Sequence, residues 1–122
     1  MVCKRCSFPS QLKLENPADY KRVFANPVKS TDKFFTLLAI RNDLSHPRLG
    51  LAIAKKNIRK AVTRNFIKRT IRENFRLKQY DLINIDIVVL ARRDAANASP
   101  ALLRKSLDKH WLKLTERCES YS

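Results

Sequence analysis

Between Lys55 and Arg76 the chain sets nine basic side chains, Lys55, Lys56, Arg59, Lys60, Arg64, Lys68, Arg69, Arg72 and Arg76, against one acid, Glu73. The net charge of +8 in 22 residues is more than half of the +15 carried by the whole chain. Cations at this density displace condensed counterions from a polyphosphate, and about six to nine such contacts make binding steeply salt-dependent. At about 100° per residue from Ala61, the side chains Asn65, Lys68, Arg69, Arg72 and Arg76 share an arc of about 100°. Ile67, Ile71 and Phe75 form an adjoining apolar stripe, so one helix carries both a core seam and a basic face. Arginines three and four apart can address successive phosphates of a structured RNA, with Asn65 as a neutral donor and acceptor among them. A face that merely meets solvent is the weaker reading, because solvated helices usually mix charge signs. Glu73, four residues after Arg69, is expected to pair with it.

The remaining chemistry on offer is thin. Tyr20 and Phe24 lie one helical turn apart, a platform on which bases of a single strand could stack, with plain core packing as the alternative. Cleavage of a phosphodiester by the protein itself would need a positioned acid and base or a cluster of carboxylates around a metal. His46 precedes Pro47 in a turn, His110 sits beside Trp111, and the acids are scattered singly. Catalytic and metal-binding residues are therefore read as none. Cys3 and Cys6 have the spacing of half a zinc site, yet no second cysteine pair or close histidine pair completes it. A single glycine excludes the glycine-rich phosphate loops, which need at least two.

These residues require a scaffold, and the chain is long enough for one. At 122 residues it makes a single domain, and 44% hydrophobic residues distinguish it from a disordered basic tail. Asn16-Pro17 is a helix start, giving a first helix over about 17 to 25 that Asn26-Pro27 ends. Lys33 to Ile40 reads as a strand with Phe34, Thr36, Leu38 and Ile40 on one face and Phe35, Leu37 and Ala39 on the other, both covered at least in part. Asn42 to Pro47 is a turn, and Arg48 to Ala54 is expected as the antiparallel partner of that strand. Its second face, Gly50, Ala52 and Ala54, is a row of small side chains, better suited to close helix packing than to a channel. Ile85 to Ala91 is a central strand, reached through a helical crossover and so able to run parallel to an earlier one. Ser99-Pro100 starts a last helix, whose Leu103, Leu107, Trp111 and Leu114 cover the sheet. No apolar run approaches the roughly 20 residues of a membrane span, and no apolar stretch follows the basic start, so a cytoplasmic protein with no membrane partner is expected.

Lys55-Lys56 followed by Ala61-Val62-Thr63-Arg64-Asn65-Phe66-Ile67-Lys68-Arg69-Thr70-Ile71-Arg72-Glu73 resembles the signature helix of the bacterial ribonuclease P protein subunit. The resemblance extends through Phe8-Pro9, Asp19-Tyr20-Lys21-Arg22-Val23-Phe24, Arg48-Leu49-Gly50-Leu51 and Ile87-Val88-Val89-Leu90-Ala91-Arg92 to the Trp111 helix. Phe8-Pro9 and His46-Pro47-Arg48 are similar to the proteobacterial branch.

That resemblance implies an α+β fold in one domain over 1–122, with an ordered core over about 8–116. The order is helix, three strands, helix, strand, helix, an αβββαβα sandwich resembling the second domain of ribosomal protein S5 with a left-handed strand-helix-strand crossover. It further implies that the catalyst is an RNA subunit, which holds the Mg2+ ions, and that the protein alone binds no cofactor. Its partners would be the catalytic ribonuclease P RNA, one protein per RNA, and precursor tRNA with its single-stranded 5′ leader. Contacts to the catalytic RNA carry over to Lys55, Lys56, Arg59, Lys60, Arg64, Asn65, Lys68, Arg69 and Arg72. Leader contacts, in a cleft between the first helix and the sheet, carry over to Tyr20, Phe24 and Leu38. Two positions depart from the family. Phe66 stands where an arginine is usual, so a contact there is apolar or stacking, and Leu38 stands where some members have an aromatic. A structural protein on ribosomal RNA is the alternative that the same basic face allows.

Overall fold

A computed structural model describes residues 10–120. The elements run α1 (Pro17–Ala25), β1 (Val28–Thr31), β2 (Phe35–Arg41), β3 (Arg48–Ala52), α2 (Ala61–Lys78), β4 (Ile85–Ala91) and α3 (Pro100–Ser120). Short 3-10 turns lie at Ser10–Leu12, Gln79–Asp81 and Arg93–Asn97. The expected helix starts are present as hydrogen bonds: Asn16 Oδ1 accepts from the amide of Ala18 at 2.9 Å, and Ser99 Oγ from that of Leu102 at 3.3 Å.

The four strands order as β1-β2-β4-β3. β1, which residue patterning left unread, pairs antiparallel with β2. Asp32 makes the turn between them, its Oδ1 accepting the amides of Phe34 at 2.8 Å and Phe35 at 2.9 Å. That turn consumes Lys33 and Phe34, so β2 begins at Phe35 rather than Lys33.

The expected pairing of β3 with β2 is wrong, because β4 lies between them, antiparallel to β2 and parallel to β3. The physical reason is visible at Asn42. Its amide donates to Asn84 O at 3.0 Å, and Asn84 Nδ2 donates to Asn42 O at 2.7 Å, so the chain leaving β2 is tied to the start of β4 instead of turning into a hairpin. β4 is buried on both faces, with Asp86 the one charge among its apolar side chains, and suits the centre, whereas the small side chains of β3 suit the edge.

The sheet has one helix on one face and two on the other. Beneath α2 and α3, Phe35 and Leu37 of β2 and Ile85, Ile87 and Val89 of β4 meet Ile67, Ile71, Phe75, Leu103, Leu107, Trp111 and Leu114. Each large side chain fully buried in this way contributes about 1.5–3 kcal/mol relative to exposure. The Phe75 and Trp111 rings meet edge to face at 5.7 Å, and Trp111 Nε1 donates to the buried Asn74 Oδ1 at 2.5 Å. A smaller cluster, Leu14, Val23, Leu38 and Val88, holds α1 on the opposite face.

α1 is also fixed by charge. Asp86, on the central strand and fully buried, accepts from Arg48 Nε (2.9 Å) and Nη2 (2.7 Å), Arg22 Nη2 (2.9 Å) and Asn42 Nδ2 (2.8 Å). Burial alone would push this carboxyl up; the bonds from Arg48, Arg22 and Asn42 outweigh it and hold it below the usual range. Asp19 of α1 adds a contact to Arg48 Nη1 at 3.3 Å.

Candidate nucleic-acid interface

α2 is oriented by Ile67, Ile71, Asn74 and Phe75, which are buried, and this turns the basic arc outward. Asn65, Arg69 and Arg72 are exposed and Lys68 is half-buried, while Lys55, Lys56, Arg59 and Lys60 are exposed in the segment that leads into the helix. No side chain caps the start of α2 and its first turn holds no acid, so the positive end of the helix adds to the four cations before it.

Two side chains of this segment make local bonds that spacing did not specify. Arg64 Nη1 donates to Ile58 O at 3.0 Å and Arg59 O at 2.8 Å, so this guanidinium clamps the entering loop as well as carrying charge. Glu73 pairs with Arg76 at 2.7 Å, one i,i+3 step toward the helix end, rather than with Arg69. Arg69 is left without an ion pair among the described residues.

The second candidate region lies where α1 crosses the sheet. Strand register places Lys29, Leu38, Val88 and Gly50 in one row across this face, and Thr31, Thr36, Leu90 and Ala52 in the next. Tyr20 stands over Gly50, where an added Cβ would lie 2.6 Å from the hydroxyl oxygen, and that oxygen accepts the Leu51 amide at 3.2 Å. The small-residue row therefore serves helix packing, as expected. Phe24 is 46% exposed and offers a ring face, whereas Leu38 is only 7% exposed beneath α1. Leu38 is floor rather than platform. Thr36 and Leu90, in the neighbouring row, keep partial exposure on the same face.

The structure brings the two regions together. Lys13, Glu15 and Tyr20 share a recess of about 330 Å³ with Gly50 of β3 and with Lys68 and Arg72 of α2. A second recess, of about 550 Å³, is lined by Lys56, Arg59, Lys60 and Thr63 together with Arg93 and Asn97. Arg93 was not singled out from the sequence, although the Arg92-Arg93 pair directly after a central strand was the available signal.

The histidines and the side chains around them have structural partners. Ser30 and His110 are each 3% exposed, with Oγ and Nδ1 2.6 Å apart. His110 Nε2 lies 3.1 Å from Asp32 Oδ2 without the alignment of a hydrogen bond. Burial lowers the His110 pKa against the opposing pull of Asp32, so the ring is neutral at pH 7. Asp32 is itself held low: burial acts upward, and bonds from Ser106 and the Phe35 and Phe34 amides overcome it. His46 Nδ1 is 3.1 Å from Pro47 O. Among the described residues no three His, Cys, Asp or Glu side chains converge as a metal-binding group, and no helix is long and apolar enough to cross a membrane. Asp19, Asp32 and Asp86 are engaged by arginines, amides, serine or histidine, an arrangement that does not fit a protein-held Mg2+. Cys118 is buried, which pushes its thiol up; Cys3 and Cys6, like Phe8-Pro9, lie outside the described residues.

Comparison with known proteins agrees with this architecture. The profile of the Ribonuclease P family matches residues 8–115. The Ribonuclease P protein component of Methylococcus capsulatus (strain Bath) is 50% identical over 115 residues, covering 94% of this chain and 90% of that protein. That of Idiomarina loihiensis is 43% identical over 119 residues, covering 97% and 95%. The structure of the Staphylococcus aureus RNase P protein superposes with a TM-score of 0.76 at 33% identity, over 84% of this chain and 93% of that one. A basic helix on a four-stranded sheet, carried through nearly the full length of such relatives, places this chain in the ribonuclease P protein family, a component of a tRNA-processing ribonuclease.

Proposed function

We propose that this chain docks on a catalytic ribonuclease P RNA through α2 and its preceding loop, and holds the 5′ leader of precursor tRNA against α1. The observation that carries the reading is the α2 face itself, a basic arc with one acid in its segment, on a helix whose adjoining apolar stripe is locked into the core. Cations on a rigid element give a polyphosphate fixed positions to meet, and among the described residues Arg69 and Arg72 make no ion pair. The RNA supplies the reacting site and the metal chemistry, with Mg2+ held mainly by RNA and one protein per RNA. The protein contributes binding, raising affinity for leader-bearing over mature tRNA and lowering the magnesium requirement. The engaged state of Asp19, Asp32 and Asp86 supports this division, as does the burial of His110. Phe24, at the open side of α1, presents a ring to the leader, while Tyr20 forms the wall and Leu38 the floor. The expected place of action is the cytoplasm.

Reconstitution tests the proposal. The purified chain should stimulate leader removal by a cognate ribonuclease P RNA at low magnesium and should leave the same precursor intact when the RNA is omitted. Failure to stimulate, or cleavage by the protein alone, would refute it.

A further inference from the structure

α2 exposes more than cations. Val62 is 80% exposed and Phe66 is 36% exposed, one turn apart on the solvent side of the helix. At about 100° per residue both lie within about 60° of Arg69, so an apolar strip borders the basic arc directly. Neither side chain belongs to the core beneath α2, whose members on this helix are Ile67, Ile71 and Phe75. The core therefore does not account for an aromatic here, and valine is not a residue that helix propensity would select for an exposed first turn. Phe66 is about one-third exposed and stands three residues before Arg69, which makes no ion pair among the described residues.

We propose that Phe66, supported by Val62, receives one unpaired nucleobase of the RNA that docks on α2. The inference rests on the docking role given to α2 above and names a contact within it. Phosphates satisfy the arc, but they do nothing for an apolar strip. The part of an RNA that does so is a base face or ribose edge, and a base is available to a side chain only where it is unpaired, in a loop or bulge. Because strip and arc adjoin, a backbone following Arg69 brings its own base within reach of the ring. The docking energy then has a component that salt does not screen, since stacking releases no counterions.

The test measures affinity for the cognate ribonuclease P RNA across a salt series. Phe66→Ala should weaken binding about tenfold, within the range for loss of one base-aromatic stack, and leave the slope of log K against log salt unchanged. Phe66→Trp should retain affinity, whereas Phe66→Leu should lose most of it. Phe66→Arg should restore affinity at low salt and steepen the slope by about 0.7–0.9, the signature of one added phosphate contact. Val62→Ala, at a position too exposed to affect folding, should give a smaller loss of the same salt-independent kind. Arg69→Ala serves as the reference and should lower both affinity and slope. If Arg69→Ala weakens binding while Phe66→Ala and Val62→Ala stay within twofold of the parent, the stacking contact is refuted and the docking surface stands. If Arg69→Ala is also silent, the docking surface itself is refuted.

Discussion

The single glycine of the chain stands where a methyl group would meet the Tyr20 hydroxyl at 2.6 Å. Gly50→Ala should force Tyr20 off β3, costing about 1–3 kcal/mol as an overpacked contact. Melting temperature checks the cost, and the ratio of affinities for leader-bearing and leaderless tRNA checks the displaced wall. Asp86 is the second residue on which α1 depends. Asp86→Ala leaves Arg48 and Arg22 facing a buried gap and should destabilise by about 3 kcal/mol or more, measured by denaturant unfolding. Its pKa is lowered in the fold, so its contribution is complete above the unfolded value of 3.8 and is lost as pH falls through the lower folded value. Acid unfolding of the parent below pH 3.8, with that acid limb flattened in Asp86→Asn, is the expected pattern. Residue types on α2 were legible from the sequence, because periodicity assigns each to a face. Their partners were not: whether Glu73 reaches Arg69 or Arg76, and whether Arg64 points outward or clamps Ile58 O, depends on rotamers and on a loop path that spacing does not specify.

At the scale of elements, the helices followed from local chemistry, since Asn16-Pro17, Ser99-Pro100 and the Ile67/Ile71/Phe75 stripe act within a few residues of themselves. The sheet did not. β1 is four residues long and half exposed, too short for a pattern to stand out, and the neighbour of β2 was decided by side-chain bonds between Asn42, Asn84 and Asp86 across more than 40 positions. The β1-β2 turn and α3 are joined by a further long-range cluster in which His110 meets Ser30 and Asp32. Burial lowers the His110 pKa in the fold from an unfolded value of 6.5. The cluster's contribution is therefore full above pH 6.5 and declines as pH falls toward the folded value, because the unfolded chain takes up the proton first. The melting temperature should drop as pH falls below the unfolded value of 6.5, and His110→Gln should abolish most of that drop. A parent flat across that fall in pH would show that the fold leaves the ring's pKa unshifted, and a rise in melting temperature would show the ring charged in the fold.

Across the whole molecule, the +15 charge is divided by the fold rather than spread evenly. The +8 segment lies on and before α2, while α1 and the sheet face present Phe24, Thr36 and Leu90 with Lys21, Arg22 and Lys29 on the same two elements. The two regions meet at the recess that Tyr20 shares with Lys68 and Arg72, so Arg69 and Phe24 are the residues that report on each region separately. The central claim is that anchoring to the catalytic RNA and gripping the leader are distinct tasks of distinct surfaces. Its most direct measurement is the affinity of reconstituted holoenzyme for leader-bearing and leaderless tRNA, taken alongside the affinity of the protein for its RNA, in the parent, Arg69→Ala and Phe24→Ala. Arg69→Ala should weaken assembly and flatten its salt slope while keeping the preference for leader. Phe24→Ala should reduce that preference about tenfold, the scale of one lost stacking contact, and leave assembly unchanged. Equal loss of assembly and leader preference in both variants would contradict the account.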